Sequence, residues 1–491
     1  MVETKKFLSK SRFMDGLSCL KFLWYQVNRK KEIPPFSAEL VEIMKQGSVV
    51  GEEAHQLFPG GIKVERDWQA EITHERSMKA ARERKILFEA GFVSGQTYAI
   101  SDILVPVGEK SWQLIEVKSS TSVKHEHYDD VAFQKMVLEG AGLDICQCYV
   151  LYLNRDYERV GQLEVDKLFK KDEITAEVIE LQSEVKAQAE KMLVVMAGSE
   201  PEVKIGPRCK NCPLYEKCWA FMPEDNIFLI RGNKKMAFDL MRQGVLDFAS
   251  IPNNFELTPE QLIQVSAHQT GEPYLNKPEL TNFLAKLTYP LYFLDFETIA
   301  SAIPLYDYTR PYEDIPVQFS LHVQKSAKAK LEHYSFLASG DQDPRPQVLS
   351  RLKELLGESG SIIAFFADYE KKCLRFSVRN CPEYNHWFVC LKKRFIDLLV
   401  PFKNLWYYHP KQKGSASLKD ILPAMTKLSY DNMEIGAGGL ARFEYMRVVF
   451  GSSDDKKDKD KVFSALEKYC ELDTLAMVKI VEALKKLVGS G

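Results

Sequence analysis

Residues 289–298 have the sequence YPLYFLDFET and decide how the second half of the chain is interpreted. The apolar run at 289–294 predicts a buried strand that opens an α/β region. Asp295 and Glu297 stand two positions apart, so both carboxylates project from one face of that strand. Carboxylate oxygens suit Mg²⁺ or Mn²⁺. The stretch therefore predicts a strand that carries a metal-binding pair of acids.

A second pair of candidate residues lies close to the end of the sequence. Residues 466–474, LEKYCELDT, predict a helix. Tyr469 and Asp473 are four positions apart and share one face of that helix. A two-metal site needs carboxylates gathered around a scissile phosphate. Asp473 is therefore expected to join the two acids of the strand.

Taken in order, Asp-x-Glu and Tyr-x3-Asp resemble the motifs of DEDD exonucleases of the tyrosine subtype, which have a ribonuclease-H-like fold. The resemblance implies 3′ to 5′ exonuclease activity with Mg or Mn. It also implies that Tyr469 positions the attacking water. The metal ligands it implies are Asp295, Glu297, Asp473 and a fourth acid from the middle of the domain.

The fourth acid is sought after a predicted buried strand, SIIAFF, that ends at Phe366. The family usually shows Asn two or three residues before an aromatic–acid pair. The pair here is Tyr369 and Glu370, so Glu370 is the first choice for catalysis and metal binding, and Asp368 the second. Phe366 stands where Asn is usual, and Glu replaces the usual Asp. Asp397 ends another predicted strand and is expected to be structural or supporting.

The first part of the chain carries a different set of acids. Two apolar segments, ISDILV around Asp102 and WQLIEVK around Glu116, predict strands that pair as a hairpin. Glu116 and Lys118 are two positions apart and project from one face. A metal held by Asp102 and Glu116 lowers the pKa of a bound water, and Lys118 can orient that water.

These positions resemble the RecB-like branch of the PD-(D/E)XK nuclease superfamily, with His55 and Gln134 as further matches. The resemblance implies metal-dependent cleavage of phosphodiester bonds, usually of DNA. It implies Mg or Mn bound by His55, Asp102 and Glu116, although a structural role for His55 stays open. Gln134 and Glu89 are supporting candidates.

Three cysteines form the spacing Cys-x2-Cys-x5-Cys, and Cys19 is the candidate for a fourth ligand near the other end of this block. Zinc is chemically suitable for four thiolates. The arrangement also resembles the RecB-like nucleases of CRISPR adaptation and the AddB helicase–nuclease subunits. That resemblance implies a four-iron four-sulfur cluster that staples the domain. The expected cluster ligands are Cys19, Cys209, Cys212 and Cys218.

The predicted organisation is a RecB-like PD-(D/E)XK domain at 1–225, a helical connector at 226–285 and a DEDD exonuclease domain at 286–491. The connector includes a capping box that begins at Thr258. Ser452–Lys461, SSDDKKDKDK, is expected to be a solvated loop.

Composition limits the classes of function. The chain has 491 residues and a net charge of −2, which excludes a histone-like basic protein but permits a local basic channel. No apolar run is long enough to span a membrane. Met1–Ser11 has no apolar secretion signal, so a cytoplasmic location is expected. No Gly-x4-Gly-Lys-Ser/Thr loop is present, so unwinding would need a separate helicase.

The sequence as a whole predicts a metal-dependent nuclease with two active sites and single-stranded DNA as the favoured substrate. Segments 311–318 and 414–419 resemble an uncharacterised bacterial family in which a DEDD domain follows a RecB-like domain. Two alternatives remain: a nucleic-acid-binding or assembly protein with one or both sites inactive, and an exonuclease that trims RNA. DNA repair, RNA turnover and antiviral defence all fit.

Overall fold

The computed structural model describes residues 6–232, 234–252, 254–451 and 455–489. The fold is mixed α/β, as expected from the sequence. The chain forms two compact units: Met1–Ala220 with Ser301–Tyr312, and Phe221–Ala300 with Glu313–Gly491. The segment 226–285 belongs to the second unit. No helix in the described part of the chain is long and apolar enough to cross a membrane.

The first unit is built on one seven-stranded sheet, in the order β2-β3-β4-β5-β6-β7, with β1 paired to β4. The predicted hairpin forms, because β4 and β5 pair antiparallel. The parallel pairing of β5 with β6 spans a helix, as such crossovers do. The strands are β1 (Leu8–Ser9), β2 (Ile62–Lys63), β3 (Leu87–Ser94), β4 (Thr97–Val107), β5 (Ser111–Lys118), β6 (Asp144–Leu153) and β7 (Phe169–Glu173).

Helices cover this sheet. The helices are α1 (Lys10–Ser18), α2 (Leu20–Asn28), α3 (Ala38–His55), α4 (Ala70–Arg82), α5 (His125–Gly140), α6 (Val165–Leu168), α7 (Thr175–Ala197) and α8 (Tyr215–Trp219). Phe13 of α1 stacks on Phe133 of α5, with ring centroids 4.5 Å apart. Both rings belong to the main apolar core, which fixes the two helices beside each other and beside the sheet.

The second unit contains a five-stranded sheet in the order β11-β10-β9-β12-β13. Strand β9 is central, antiparallel to β10 and parallel to β12. The residues of β9 other than its two acids are mostly apolar and buried on both faces of the strand. Helices can therefore cover both faces of the sheet. The strands are β8 (Tyr274–Leu275), β9 (Leu291–Ile299), β10 (Ile315–Gln324), β11 (Glu332–Leu337), β12 (Ser361–Ala364), β13 (Phe395–Asp397) and β14 (Tyr407–Tyr408), with β8 and β14 paired separately.

Some helices of this unit begin at a residue whose side chain caps the helix, namely Thr258, Asn276, Ser417 and Asp455. The helices are α9 (Lys234–Arg242), α10 (Pro259–Thr270), α11 (Lys277–Leu284), α12 (Arg345–Leu355), α13 (Ala367–Asn380), α14 (Asn385–Leu391), α15 (Val400–Lys403), α16 (Leu418–Met425), α17 (Gly438–Phe450) and α18 (Lys456–Val488). The capping box of α10 is confirmed: Thr258 and Gln261 exchange side-chain and backbone hydrogen bonds.

The expectation of a loop at Ser452–Lys461 is wrong for its second half. Helix α18 begins at Lys456, and the Asp455 side chain accepts hydrogen bonds from the backbone N–H of Lys457 and Asp458. The charged run is the exposed first turn of a helix whose later part is buried, and Asp455 caps it. Residues 452–454 lie outside the described residues.

Candidate functional site

Four acids of the second unit form what we call the acidic cluster: Asp295, Glu297, Glu370 and Asp473. Asp295 and Glu297 lie inside β9 rather than after it, and they face the same side of the sheet. Carboxylate oxygens of Asp295, Glu297 and Asp473 all lie within 4.8 Å of one another. The middle of the central strand and the buried face of α18 therefore bring together acids that are far apart in the sequence.

Glu370 is the fourth member of the acidic cluster. It lies on α13, is 3% exposed, and its Oε2 is buried without a hydrogen-bond partner among the described residues. An unpartnered buried carboxylate oxygen is costly, and a cation can satisfy it. The charges of Glu297 and Asp473 act on Glu370, which lies close to both. The structure thus brings Glu370, the first choice from the sequence, toward the other three acids.

Burial makes simultaneous ionisation of these acids unfavourable. Burial and neighbouring carboxylates raise the pKa of Asp295 and of Glu370 well above their ordinary values. Burial, followed by the charge of Asp473, raises the pKa of Glu297 to about 8. Burial also raises the pKa of Asp473 to about 6, although Tyr430 and Lys419 oppose it. The arrangement favours either protons or a cation between the carboxylates.

Two tyrosines contact the acidic cluster, Tyr430 from the segment after α16 and Tyr469 from α18. The Tyr430 hydroxyl donates to Asp473 Oδ1 at 2.6 Å. Tyr469 is buried on α18, and burial raises its pKa, so its hydroxyl stays a hydrogen-bond donor at neutral pH. Lys419 Nζ lies 5.3 Å from the Tyr469 ring centroid. Sequence reasoning missed Tyr430 and Lys419, since neither has a motif spacing to any acid.

A polar network fixes the end of β9 next to the acids. The Thr298 hydroxyl and the Tyr369 hydroxyl are 2.7 Å apart. Arg442 donates to the Thr298 carbonyl at 3.1 Å and to Asp314 at 3.0 Å. Lys372 also pairs with Asp314, at 2.8 Å. These contacts tie α13 and α17 to the strand and leave positive charge near the acids.

Other sequence candidates in this unit lie outside the acidic cluster. Asp368 is 77% exposed and pairs with Lys371. Asp397 accepts the backbone N–H of Phe366 and of Leu399, each at 2.9 Å, which is the structural role expected of it. These hydrogen bonds help hold Phe366 in the left-handed region at φ 74°. That conformation costs a bulky residue such as Phe more than it costs Asn.

In the first unit, several candidate residues meet around Glu116, which is 2% exposed; we call them the Glu116 cluster. Lys118 Nζ contacts Glu116 Oε1 at 2.6 Å, and Gln134 Nε2 donates to Oε2 at 2.7 Å. Lys10 of α1 also contacts Oε1, at 2.7 Å. Asp130 pairs with Lys118 and accepts from Gln134. Lys10 and Asp130 were missed, because nothing in their spacing marks them.

Asp102 and Glu89 extend this arrangement across the sheet. Glu89 lies between the β3–β4 pairs Phe88–Ile103 and Ala90–Ser101, and Asp102 lies next to Ile103, which pairs with Ile115 of β5. The Asp102 Oδ2 accepts the backbone N–H of Val117 at 2.8 Å. Burial and the charge of Glu116 raise the pKa of Asp102 to about 7. Glu89 forms an ion pair with Arg66.

Two lysines compensate the negative charge of Glu116 in the first unit. Although burial disfavours its charge, Lys10 and Lys118 hold the pKa of Glu116 below its usual range. His55 stacks on Phe88 with centroids 4.0 Å apart, and its buried Nε2 has no partner among the described residues. Among those residues, His55, Asp102 and Glu116 do not bring their ligand atoms within 4.8 Å of one another. His55, Asp102 and Glu116 could bind a divalent ion only if the Lys10 ammonium group moved away from the Glu116 carboxylate.

The four candidate cysteines of the first unit are free thiols that line one cavity of about 530 Å³. Cys19 caps α2, and Cys209 lies in a short 3₁₀ helix, Pro207–Asn211. Burial raises the pKa of Cys212 and of Cys218. In the described part of the chain, no three of the four sulfurs lie within 4.8 Å of one another. Tetrahedral zinc would require sulfurs about 3.8 Å apart, from Zn–S bonds of about 2.3 Å.

Comparisons with known proteins give similarity without a function. Residues 292–417 match a family described as a domain of unknown function (DUF2779). Uncharacterized protein MG366 of Mycoplasma genitalium is 26% identical over 217 residues, which span 40% of this chain and 32% of that protein's length. Its homolog in Mycoplasma pneumoniae is 26% identical over 215 residues, again 40% of this chain and 32% of the relative. The predicted similarity to uncharacterised proteins is confirmed to this extent.

The chain is also similar to a solved structure. It is titled the crystal structure of SSO0001, has 13% sequence identity and a TM-score of 0.24, and covers 45% of this chain and 90% of that chain.

The raised pKa of Glu297 predicts a pH-dependent stability of the metal-free protein. A folded-state pKa of about 8 against an ordinary 4.5 means that the folded state loses stability as pH rises through that range. Glu297→Gln should therefore stabilise the metal-free protein at pH 8.5 by roughly 1–2 kcal/mol, with a smaller gain at pH 5. Denaturant unfolding at both pH values measures the difference.

Glu383→Gln, at an exposed acid of the same unit, is the matched control and should change little at either pH. A Glu297→Gln variant less stable than the wild type at pH 8.5 would contradict the electrostatic description of the acidic cluster.

Proposed function

We propose that the protein is a metal-dependent nuclease whose principal active site is the acidic cluster of the second unit. The single observation that supports this most strongly is the convergence of Asp295, Glu297 and Asp473, with carboxylate oxygens within 4.8 Å. The buried and unpartnered Oε2 of Glu370 adds a fourth oxygen that a cation would satisfy. The order of these acids along the chain resembles that of a DEDD exonuclease with a ribonuclease-H-like fold, with Glu370 in place of the usual Asp.

The residues of this site divide the work of phosphodiester hydrolysis. Asp295, Glu297, Glu370 and Asp473 would hold Mg²⁺ or Mn²⁺. The bound metal supplies neutralisation of phosphate charge and an acidified water. Tyr430 fixes the Asp473 carboxylate through its 2.6 Å hydrogen bond. Tyr469, kept protonated by burial, hydrogen-bonds to Asp473, and its hydroxyl would orient the attacking water beside that carboxylate.

Positive side chains bordering the acids suit an anionic substrate. Arg442 and Lys419 both act on the charge of Glu297. Arg442 donates to Asp314 and Lys419 to the Gly436 carbonyl. A bound phosphate would exchange these partners for charge-assisted hydrogen bonds to its own oxygens. We propose nucleic acid as the substrate, with single-stranded DNA favoured and RNA as the alternative. A strand that is duplex in the cell would need a separate helicase to supply its free end.

For the first unit we propose a PD-(D/E)XK site of the RecB-like type. Asp102, Glu116, Lys118 and Gln134 support it, since all of them meet at or beside Glu116. The alternative, a unit that grips nucleic acid without cutting, is favoured by one observation: both oxygens of Glu116 already have protein donors. The proposed boundaries of these domains remain those predicted from the sequence.

We also propose that the four cysteines hold a four-iron four-sulfur cluster. The four cysteines line one cavity of about 530 Å³, and no three of their sulfurs in the described structure lie within 4.8 Å of one another, which leaves room for a group larger than a single ion. Cys19 precedes α2, whereas the other three follow α7, so a cluster would join the two ends of the first unit. Its role would be structural.

Nuclease activity is tested with amide variants, because Asn and Gln keep side-chain volume. With Mn²⁺ and end-labelled single strands of DNA and RNA, Asp295→Asn should slow stepwise trimming by roughly 10²–10³-fold. Glu116→Gln should abolish whatever cleavage remains. Glu383→Gln should trim like the wild type. Undiminished cleavage by the double variant Asp295→Asn/Glu116→Gln would contradict the proposal.

The cluster is tested by anaerobic purification, visible absorption and metal content. Wild-type protein should be brown and contain about four iron atoms per chain, as a four-iron four-sulfur cluster requires. Cys209→Ser should lose iron and melt at a lower temperature. Cys146→Ser, at an exposed cysteine of the same unit, should keep the iron. One zinc per chain and no iron in the wild type would overturn the assignment.

A further inference from the structure

A second group of metal-ligand side chains lies in the second unit, apart from the acidic cluster. His322 and His333 face each other across β10 and β11, and Glu471 stands on α18. One ligand atom from each of the three lies within 4.8 Å of the other two. No sequence motif includes these three residues. Glu471 is far from the two histidines in the sequence, and only the pairing of β10 with β11 and the position of α18 bring the three together.

The hydrogen bonds around the two imidazoles leave one nitrogen of each for a ligand. His322 Nδ1 is 2.8 Å from the Thr474 hydroxyl, so Nε2 is the available nitrogen. His333 Nε2 is 2.9 Å from the Ser320 hydroxyl, so Nδ1 is available. His333 Nδ1 lies 3.8 Å from Glu471 Oε1, too far for a hydrogen bond. A tetrahedral ion with bonds of about 2.0–2.1 Å separates its ligands by about 3.3 Å, which is close to this spacing.

The hydroxyls of Ser320 and Thr474 link the two imidazoles through a chain of hydrogen bonds. Every donor in this chain has an acceptor if both imidazoles are neutral. His333 Nε2–H donates to Ser320, and Ser320 donates to Thr474 at 2.7 Å. Thr474 also accepts from His322 Nδ1–H and donates to the Glu471 carbonyl at 3.1 Å. This proton arrangement gives both rings the tautomer whose free nitrogen can bind a metal. Partners of this kind orient the histidine ligands of metal sites.

Burial and charge also suit a cation. Burial, and then the neighbouring His333, lower the pKa of His322 to about 4, so His322 is neutral at pH 7. His333 and Glu471 have side chains that are 27% and 49% exposed. The site is therefore buried on the His322 side and open to solvent on the Glu471 side. An ion can enter, and a water can complete its coordination.

We propose that His322, His333 and Glu471 bind one Zn²⁺ or a similar divalent transition metal. Two imidazoles and one carboxylate suit zinc, cobalt or nickel, whereas Mg²⁺ prefers oxygen ligands alone. The site is thus selective against the ion that the acidic cluster would take. Glu471 precedes Asp473 by two residues on α18, so the bound ion would tie β10 and β11 to the part of the helix that presents Asp473. The proposal does not depend on nuclease activity.

The test compares zinc binding by full-length variants in excess Mg²⁺. Wild type and His333→Gln are exchanged into buffer with Zn²⁺, freed of unbound metal and analysed for zinc per chain. His386→Gln, at an exposed histidine of the same unit, is the matched control. The wild type and His386→Gln should retain one more zinc per chain than His333→Gln. Zinc held by the cysteines cancels, since all variants keep them.

Thermal unfolding and a second-sphere variant provide independent measurements. Zn²⁺ should raise the melting temperature of the wild type more than that of His333→Gln. Thr474→Val should bind zinc roughly 10–100-fold more weakly, because the His322 ring loses its orienting partner. Equal zinc content in the wild type and His333→Gln, with equal thermal shifts, would overturn the proposal and leave His333 and Glu471 as a surface ion pair.

Discussion

Four carboxylates buried beside the central strand of the second unit repel one another, and this repulsion sets the chemistry of that unit. Strand β9 occupies the centre of the sheet, so the residues around its acids are apolar. Asp295 and Glu297 are therefore desolvated when the helices cover the strand. Glu370 and Asp473 add charge from two further helices. The folded chain can keep this cluster only by holding protons or by binding cations, and a pKa of about 8 at Glu297 shows how strongly protons are held without a metal.

The first unit meets the same problem in a different way. Glu116 is as deeply buried as any acid of the acidic cluster, but Lys10 and Lys118 contact it directly. Its charge is therefore balanced within the protein, whereas the acids of the acidic cluster are opposed at longer range by Lys419, Arg442 and Lys372. This difference makes the acidic cluster the stronger candidate for a resident metal. It also makes Lys10 a residue that a metal ion at Glu116 would have to displace.

Periodicity was sufficient to predict the residues that share an element. The alternation of β9 predicts Asp295 and Glu297 on one face, and the spacing of Tyr469 and Asp473 predicts one face of α18. Partners supplied by a distant element carry no such signal, which is why Tyr430 and Lys10 were missed. The same limit applies to the pair His322 and His333, which only the register of β10 and β11 makes visible. The charge pattern alone gave a wrong prediction. The Asp/Lys run is typical of a loop, but from Lys456 it forms the start of α18, and Asp455 caps that helix.

Direct measurement of Mn²⁺ binding tests the central claim that the acidic cluster of the second unit is a metal site. Electron paramagnetic resonance at pH 7.5 counts free Mn²⁺ in titrations of the wild type and of Asp473→Asn, with Glu383→Gln as control. Mn²⁺ bound at nitrogen or sulfur sites cancels in the comparison, since all three proteins keep those sites. The account predicts that wild type and control bind Mn²⁺ and that Asp473→Asn loses at least one bound ion per chain. Equal Mn²⁺ binding by wild type and Asp473→Asn would contradict it.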